Sequence, residues 1–180
     1  MEALAELVAA GKAVHVACSN FSAEQIEETS KVPSEDGAAR FVACQIHWNL
    51  LAREVEKAIV PALRRHGMGI VPYFPLESGL LTGKYRQGED YPEGSRLATR
   101  PRFAGLATEE TFAYIRELTE FASKRGHSLL ELAFAWLAVQ DGVASIIAGA
   151  TTPEQVSANV KAGGAWRLSA EDLRDLPSMK

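Results

Sequence analysis

No apolar run in the 180 residues is long enough to span a membrane. No cluster of Lys or Arg stands out against a formal net charge of −4, so the charge offers no footprint for nucleic acid. The opening MEALAELVAAGK is acidic and amphipathic and lacks the basic start and apolar core of a signal peptide, which predicts a cytoplasmic location. Cysteine is scarce. Cys18 and Cys44 both lie in apolar runs, where a small core residue is the simpler reading than a disulfide. None of His15, His66 and His127 has a Ser/Asp partner at motif spacing, and no metal-ligand spacing appears. The glycines do not form G-x-G-x-x-G, so a Rossmann dinucleotide fingerprint is missing. What remains is an ordinary globular mixture, 47% apolar and 23% charged, of a length that suits one domain spanning residues 1–180.

The order of elements is regular. Leu4, Leu7 and Val8 have helical spacing between Glu2 and a stop at Gly11. Ala13–Ser19, Phe41–Trp48, Gly69–Pro75 and Ala144–Ala150 read as short apolar strands. Helices are predicted from a capping box at Ser22/Gln25 and over 52–67, where Pro61 kinks the helix or starts a second turn. Others follow over 109–125, after a Ser128/Glu131 box, from Thr152-Pro153-Glu154-Gln155, and from Ser169. Lys31–Arg40 is turn-rich. Gly83–Thr108 shows no periodicity, and residues 84–108 are expected to form a long loop on the ligand side. Apolar strands alternating with helices indicate α/β, with four parallel strands covered on both faces. An open doubly wound sheet and part of a (β/α)₈ barrel both fit.

In parallel α/β folds ligands gather at the carboxyl ends of the strands. Those ends carry Ser19-Asn20, Gln45, Tyr73 with its opening loop, and Gly149-Ala150-Thr151-Thr152. Amides and hydroxyls can hold a carboxamide, an aromatic face can carry a flat ring, and N–H groups at loop–helix starts can cradle phosphates. The set suits a nicotinamide dinucleotide. Each member also has a plainer reading. Ser19-Asn20 can be a helix-entry turn, Gln45 can pair with another buried polar group, Tyr73 can be core, and Gly149 and Thr152 can merely cap a helix.

Four ordered segments, VACSNFSAEQ, QIHWNLLAREVE, YFPLESGLLTGKY and IIAGATTPEQVSANV, resemble the C-terminal half of an aldo-keto reductase, over about Glu2 to Asn159. The resemblance implies a partial (β/α)₈ TIM barrel made of its fifth to eighth strands. It implies an NADP(H)-dependent, or NAD(H)-dependent, oxidoreductase acting on a small-molecule carbonyl. Ser19, Asn20 and Gln45 then hold the carboxamide and Tyr73 stacks on the nicotinamide. The loop from Phe74 to Lys84 covers the pyrophosphate, with Leu76, Gly79 and Leu81 at backbone-contact positions. Gly149, Ala150, Thr151, Thr152 and Gln155 lie near the 2′-phosphate, and Asn159 near the adenine. Gly149 and Gln155 stand where family members can carry Lys and Arg, Phe74 replaces a usual serine, and Ala148 replaces a common proline.

The family's catalytic Asp, Tyr, Lys and His belong to the first four strands, so no catalytic residue is expected in this chain. His47, inside the later-strand context Q-IHW-N, is read as a look-alike. Tyr91, Phe103 and Trp166 are candidate pocket walls. The alternative to an enzyme half is a non-catalytic nicotinamide-binding or regulatory module, and a phosphate-binding barrel piece of another family is a third reading. Four strands cannot close a barrel. The chain is therefore expected to be a fragment, a half that self-associates through exposed strand edges, or an open layer standing alone, with the first preferred.

Overall fold

The computed structural model describes residues 1–31 and 39–178. Most of the turn-rich Lys31–Arg40 connection lies outside the described residues.

Helix α1 (Glu2–Ala9) is followed by strand β1 (Val16–Ser19), α2 (Ala23–Ser30) and β2 (Phe41–His47). A 3₁₀ turn (Glu54–Lys57) leads into α3 (Ile59–Arg65), and β3 is Gly69–Tyr73. After a second, interrupted 3₁₀ segment (Glu77–Thr82) come α4 (Arg96–Thr99), α5 (Pro101–Ala104), α6 (Glu109–Ser123), α7 (Leu129–Ala138), α8 (Pro153–Ala165) and α9 (Ala170–Asp175). The strands are parallel in the order β1-β2-β3, with Ser19 opposite Gln45 and His47 opposite Tyr73.

The helix starts follow local chemistry. Ser22 accepts from the Gln25 N–H while the Gln25 side chain accepts from the Ser22 N–H, and Ser128/Glu131 and Ser169/Asp172 repeat the pattern. The expected helix over 52–67 breaks at Ala58, three residues ahead of Pro61. A proline ring collides with the carbonyl four residues back, here Lys57, so the chain leaves the helix before Pro61 and re-enters with Pro61 in the first turn of α3. The stretch expected to be a featureless loop contains α4 and α5, each only four residues long and so too short to show periodicity.

β1 begins three residues later than the apolar run suggests. Val14 is 80% exposed and joins no core among the described residues. The fourth strand does not form as a regular ladder. Val143 and Ile147 pair with Ile70 and Tyr73 as two isolated parallel bridges, and backbone bonds join Ile70 to Gly142 and Ala144, and Pro72 to Ile147. The segment therefore lies beside β3 in the expected place and direction.

One face of the sheet is covered and the other is not. Cys18, Cys44, Ile46 and Ile70 point into a core shared with Ile26, Val60, Leu63, Leu118, Leu132 and Leu137. The alternate row, Ala17 and Ser19 on β1, Ala43, Gln45 and His47 on β2, and Val71 and Tyr73 on β3, is half-buried or exposed. Coverage on both faces was the expectation from the apolar runs. It fails here because no element among the described residues packs over that row. Burial, and then the adjacent Cys44 sulfur, pushes the Cys18 thiol up to about 12, and both thiols are free.

At the heart of the core, the Trp48 and Trp136 rings meet edge to face at 5.6 Å. The Trp48 indole N–H donates to Glu56 Oε1 at 2.9 Å, and Arg53 holds Glu56 at 2.7 and 2.8 Å while lying over Trp136. Among the described residues no helix is long and apolar enough to cross a membrane, and no group of three His, Cys, Asp or Glu side chains could hold a metal ion.

Candidate functional site

Parallel pairing aligns the carboxyl ends of β1, β2 and β3, and the open row brings their polar side chains to one side. Ser19 Oγ donates to the Gln45 carbonyl at 3.3 Å, and the Asn20 N–H donates to the same oxygen at 3.0 Å. Asn20 leaves the strand with φ 58°, a left-handed conformation that asparagine tolerates better than most residues. This turns its side chain back to accept from the Tyr73 hydroxyl at 2.9 Å. Ser19, Asn20, Gln45 and Tyr73 are thus linked across three strands, with exposed amide and hydroxyl groups around one aromatic ring.

The loop after β3 is tightly wound. Phe74, Glu77 and Ser78 have φ of 52°, 39° and 57°, and Gly79 has 95°. Left-handed backbone at three consecutive residues is strained for the two that carry side chains. Leu76 is the hub, its carbonyl accepting from the Gly79 N–H at 2.8 Å and the Leu81 N–H at 3.2 Å. The Gly79 and Leu81 N–H groups are thus taken up within the loop. Lys84 folds over Gly79 so closely that a Cβ there would lie 2.7 Å from Lys84 Cε, and its Nζ reaches 5.0 Å from the Tyr85 ring centroid. Ser78 Oγ is buried and has no hydrogen-bond partner among the described residues. Phe74 packs edge-on against Tyr73, His47 and Phe103, and the guanidinium of Arg96 lies 5.3 Å from its centroid.

The last group stands apart. Gly149–Thr152 follow Ile147, which pairs with Tyr73, so they extend past the same end of β3. Thr152 caps α8 by accepting from the Gln155 N–H at 3.3 Å, with Pro153 at the first helical position. The Gln155 side chain does not complete a box with Thr152. It takes the Thr151 N–H at 2.8 Å and the Thr151 hydroxyl at 3.2 Å, and so closes the helix start on itself. Asn159, with Ala148 and Ala150, lines an apolar groove of ≈ 470 Å³ between the 143–150 segment, α7 and α8. Among the described residues no hydrogen bond joins this group to Ser19 or Gln45.

Of the candidate pocket walls, Phe103 reaches the site through Phe74. Tyr91 instead packs on Tyr85, and Trp166 stacks on His127 at 4.2 Å, which is ordinary packing. Arg96 carries no signal in the sequence, because its helix is only four residues long. Nor does Glu77, which accepts from His47 and Asn49. Those partners are 30 and 28 residues away, and no local pattern couples them.

The Aldo/keto reductase family matches residues 1–180. The chain is 33% identical over 180 residues to the L-glyceraldehyde 3-phosphate reductase of Escherichia coli (strain K12), covering 97% of this chain and 51% of that protein. It is 36% identical over 168 residues to a putative voltage-gated potassium channel subunit beta of Schizosaccharomyces pombe, covering 90% and 48%. Among solved structures it superimposes on a glycerol dehydrogenase from Gluconobacter oxydans with a TM-score of 0.78 and 31% identity, over 96% of this chain and 50% of that one. The chain spans about half the length of these relatives.

Proposed function

Starting from the fact that the chain belongs to the aldo/keto reductase family, we propose that it is the cofactor-holding half, strands five to eight, of a nicotinamide-dependent carbonyl reductase. One observation carries this reading: the Tyr73 hydroxyl is tied to Asn20 beside Ser19 and Gln45, so that a ring platform and a set of amide and hydroxyl groups share one open edge. Those groups match a nicotinamide carboxamide, which needs both donors and acceptors. The strained loop at Gly79 and the cation of Lys84 suit an anionic bridge, and Arg96 adds a second positive charge beside Phe74.

The residues thus fit an NADP(H) or NAD(H) molecule, whose chemistry is hydride exchange at the nicotinamide ring. Ser19, Asn20 and Gln45 orient the carboxamide and so fix which face of the ring looks outward. Tyr73 supports the opposite face and excludes water from it. Lys84 and Arg96 hold the phosphates. The acid that protonates the carbonyl oxygen is supplied from outside this chain. Gly149 and Gln155 bring no cation to a 2′-phosphate, so the preference for NADP(H) over NAD(H) rests on charges elsewhere.

Titrating the purified chain with NADPH and following cofactor fluorescence tests this. Binding is expected, and Tyr73→Ala should weaken it by about tenfold, the worth of one aromatic stack. Unchanged affinity in that variant would remove the platform from the account. Binding without turnover of an aldehyde is the expected behaviour of this chain by itself, and a non-catalytic cofactor-binding module would share it.

A further inference from the structure

His47 lies outside the groups assigned to the cofactor, yet it sits among them. It ends β2 on the open row, two residues after Gln45 and opposite Tyr73. Its ring stacks on the Tyr73 ring with centroids 5.4 Å apart and 14° between planes. Its Nε2 meets Glu77 Oε2 at 2.6 Å, and the Glu77 side chain is only 5% exposed against 36% for His47. Asn49, fully buried, donates from Nδ2 to the same carboxylate oxygen at 2.6 Å and to the Phe74 carbonyl at 2.9 Å. Its Oδ1 accepts from the Leu51 and Ala52 N–H groups. Asn49 therefore cannot move without breaking four bonds, and Glu77 is fixed with it.

A buried carboxylate needs a positive partner, and the imidazole is its ion-pair partner here. The hydrogen bond to Glu77 raises His47 above the usual histidine value, against the opposing effect of burial, and the charges of Glu77 and Glu54 add to the rise. The charged and titratable groups around His47 are Glu77 on the loop after β3, Glu54 on the 3₁₀ turn after β2, and the Tyr73 phenol on β3. Arg96 stands beyond the intervening Phe74 ring.

We propose that the His47–Glu77 pair makes this site discriminate between the two redox forms of the nicotinamide, favouring the oxidised form once His47 has lost its proton. The inference rests on Tyr73 carrying the ring. An oxidised nicotinamide bears a positive charge and a reduced one bears none. With His47 protonated the pair is neutral overall and has little preference. With His47 neutral, the Glu77 carboxylate is uncompensated and attracts the cationic ring. A nicotinamide held on Tyr73 would place its ring charge on the order of 8 Å from the pair, and a unit charge at that distance beside a half-exposed face would shift relative affinity by about three- to tenfold. Linkage makes the effect reciprocal: the oxidised cofactor should drive a proton off His47.

The test is to measure Kd for NADPH and NADP⁺ separately, by fluorescence and calorimetry, from below to above neutral pH. Titration of the 2′-phosphate is common to both forms and cancels in the ratio. The ratio Kd(NADP⁺)/Kd(NADPH) should fall about three- to tenfold as pH rises through the His47 transition. His47→Gln should flatten the ratio. Glu77→Gln should move the transition to lower pH, and if that variant fails to fold, His47→Gln alone decides. NMR titration of the His47 ring should give a lower midpoint with NADP⁺ bound than with NADPH bound. A ratio independent of pH while both forms bind, or a pH dependence that survives in His47→Gln, overturns the inference and leaves the cofactor reading standing. Failure of either form to bind removes both.

Discussion

Asn49 joins the end of β2 to the loop after β3, and its replacement should be among the most costly single changes in the chain. Asn49→Ala deletes the acceptor that holds the Leu51 N–H at 2.7 Å and the Ala52 N–H at 3.0 Å, and both donors to Glu77 and Phe74. Ala52 keeps its weaker bond to the Asn49 carbonyl at 3.2 Å, so its loss is partial. The Phe74 carbonyl keeps the Glu77 N–H at 3.0 Å and Glu77 keeps His47, so the Leu51 N–H is the group left wholly without its partner. One orphaned group costs about 1–3 kcal/mol and each further lost bond about 0.5–1.5 kcal/mol, which for this cluster sums to about 3–5 kcal/mol. That is a large share of the ~5–15 kcal/mol that holds a typical domain folded. Asn49→Asp separates the contributions. It keeps the acceptor for Leu51 and Ala52 but places a second carboxylate against Glu77, so it should be the worse variant near neutral pH. Two carboxylates in one site raise the pKa of one of them, and the protonated acid restores the lost donor. The destabilisation of Asn49→Asp should therefore shrink as pH falls through that raised value. Urea unfolding at matched m-values, repeated at neutral and acidic pH, measures both effects. If Asn49→Ala lies within about 1 kcal/mol of the parent chain, the view of Asn49 as the anchor of Glu77 is wrong.

Two other substitutions probe the same loop. Gly79→Ala forces a side chain onto φ 95° and into Lys84 Cε, so a loss of about 1–3 kcal/mol is expected in thermal or urea unfolding. Combining it with Lys84→Ala should recover the steric part and leave the backbone strain. Ser78→Ala removes a buried hydroxyl that has no partner among the described residues, and the same assay should show no change or a gain of up to about 1 kcal/mol. A clear loss would mean that the hydroxyl is bonded after all.

The parts of the fold that were legible in the sequence are those whose cause is local. The Ser22, Ser128 and Ser169 caps act over three residues, and each starts a helix where the residue pattern says it should. The grouping of Ser19, Gln45 and Tyr73 was legible for a different reason: parallel strands carry their polar tips to a common end. What failed needed information from across the structure. Ala17, Ala43 and Val71 suit a buried face as well as an open one, because a small apolar side chain costs little in either place. Ala144–Ala150 has strand composition, yet among the described residues only its Ile147 forms a bridge to β3, the other bridge being made by Val143 just before it. The His47–Glu77 contact spans 30 residues, and Glu77 in the sequence is simply a charged residue in a glycine-rich loop. The self-closing of α8 depends on which rotamer Gln155 adopts, and spacing alone does not choose between Thr151 and Thr152.

The one-sided coat of the sheet also determines how its strands are kept in step. Sliding β2 by one residue against its neighbours would swap its two rows, offering Gln45 and His47 to the helices and handing Cys44 and Ile46 to water. The helix-facing row opposes such a slip most strongly, since the burial of Cys44 and Ile46 would be lost. Alignment of the whole cradle is thus supported from behind, by a few aliphatic and sulfur side chains on the covered face. Mutational drift should be freer at Ala17 and Ala43 than at Cys44 and Ile70, although the former lie nearer the chemistry.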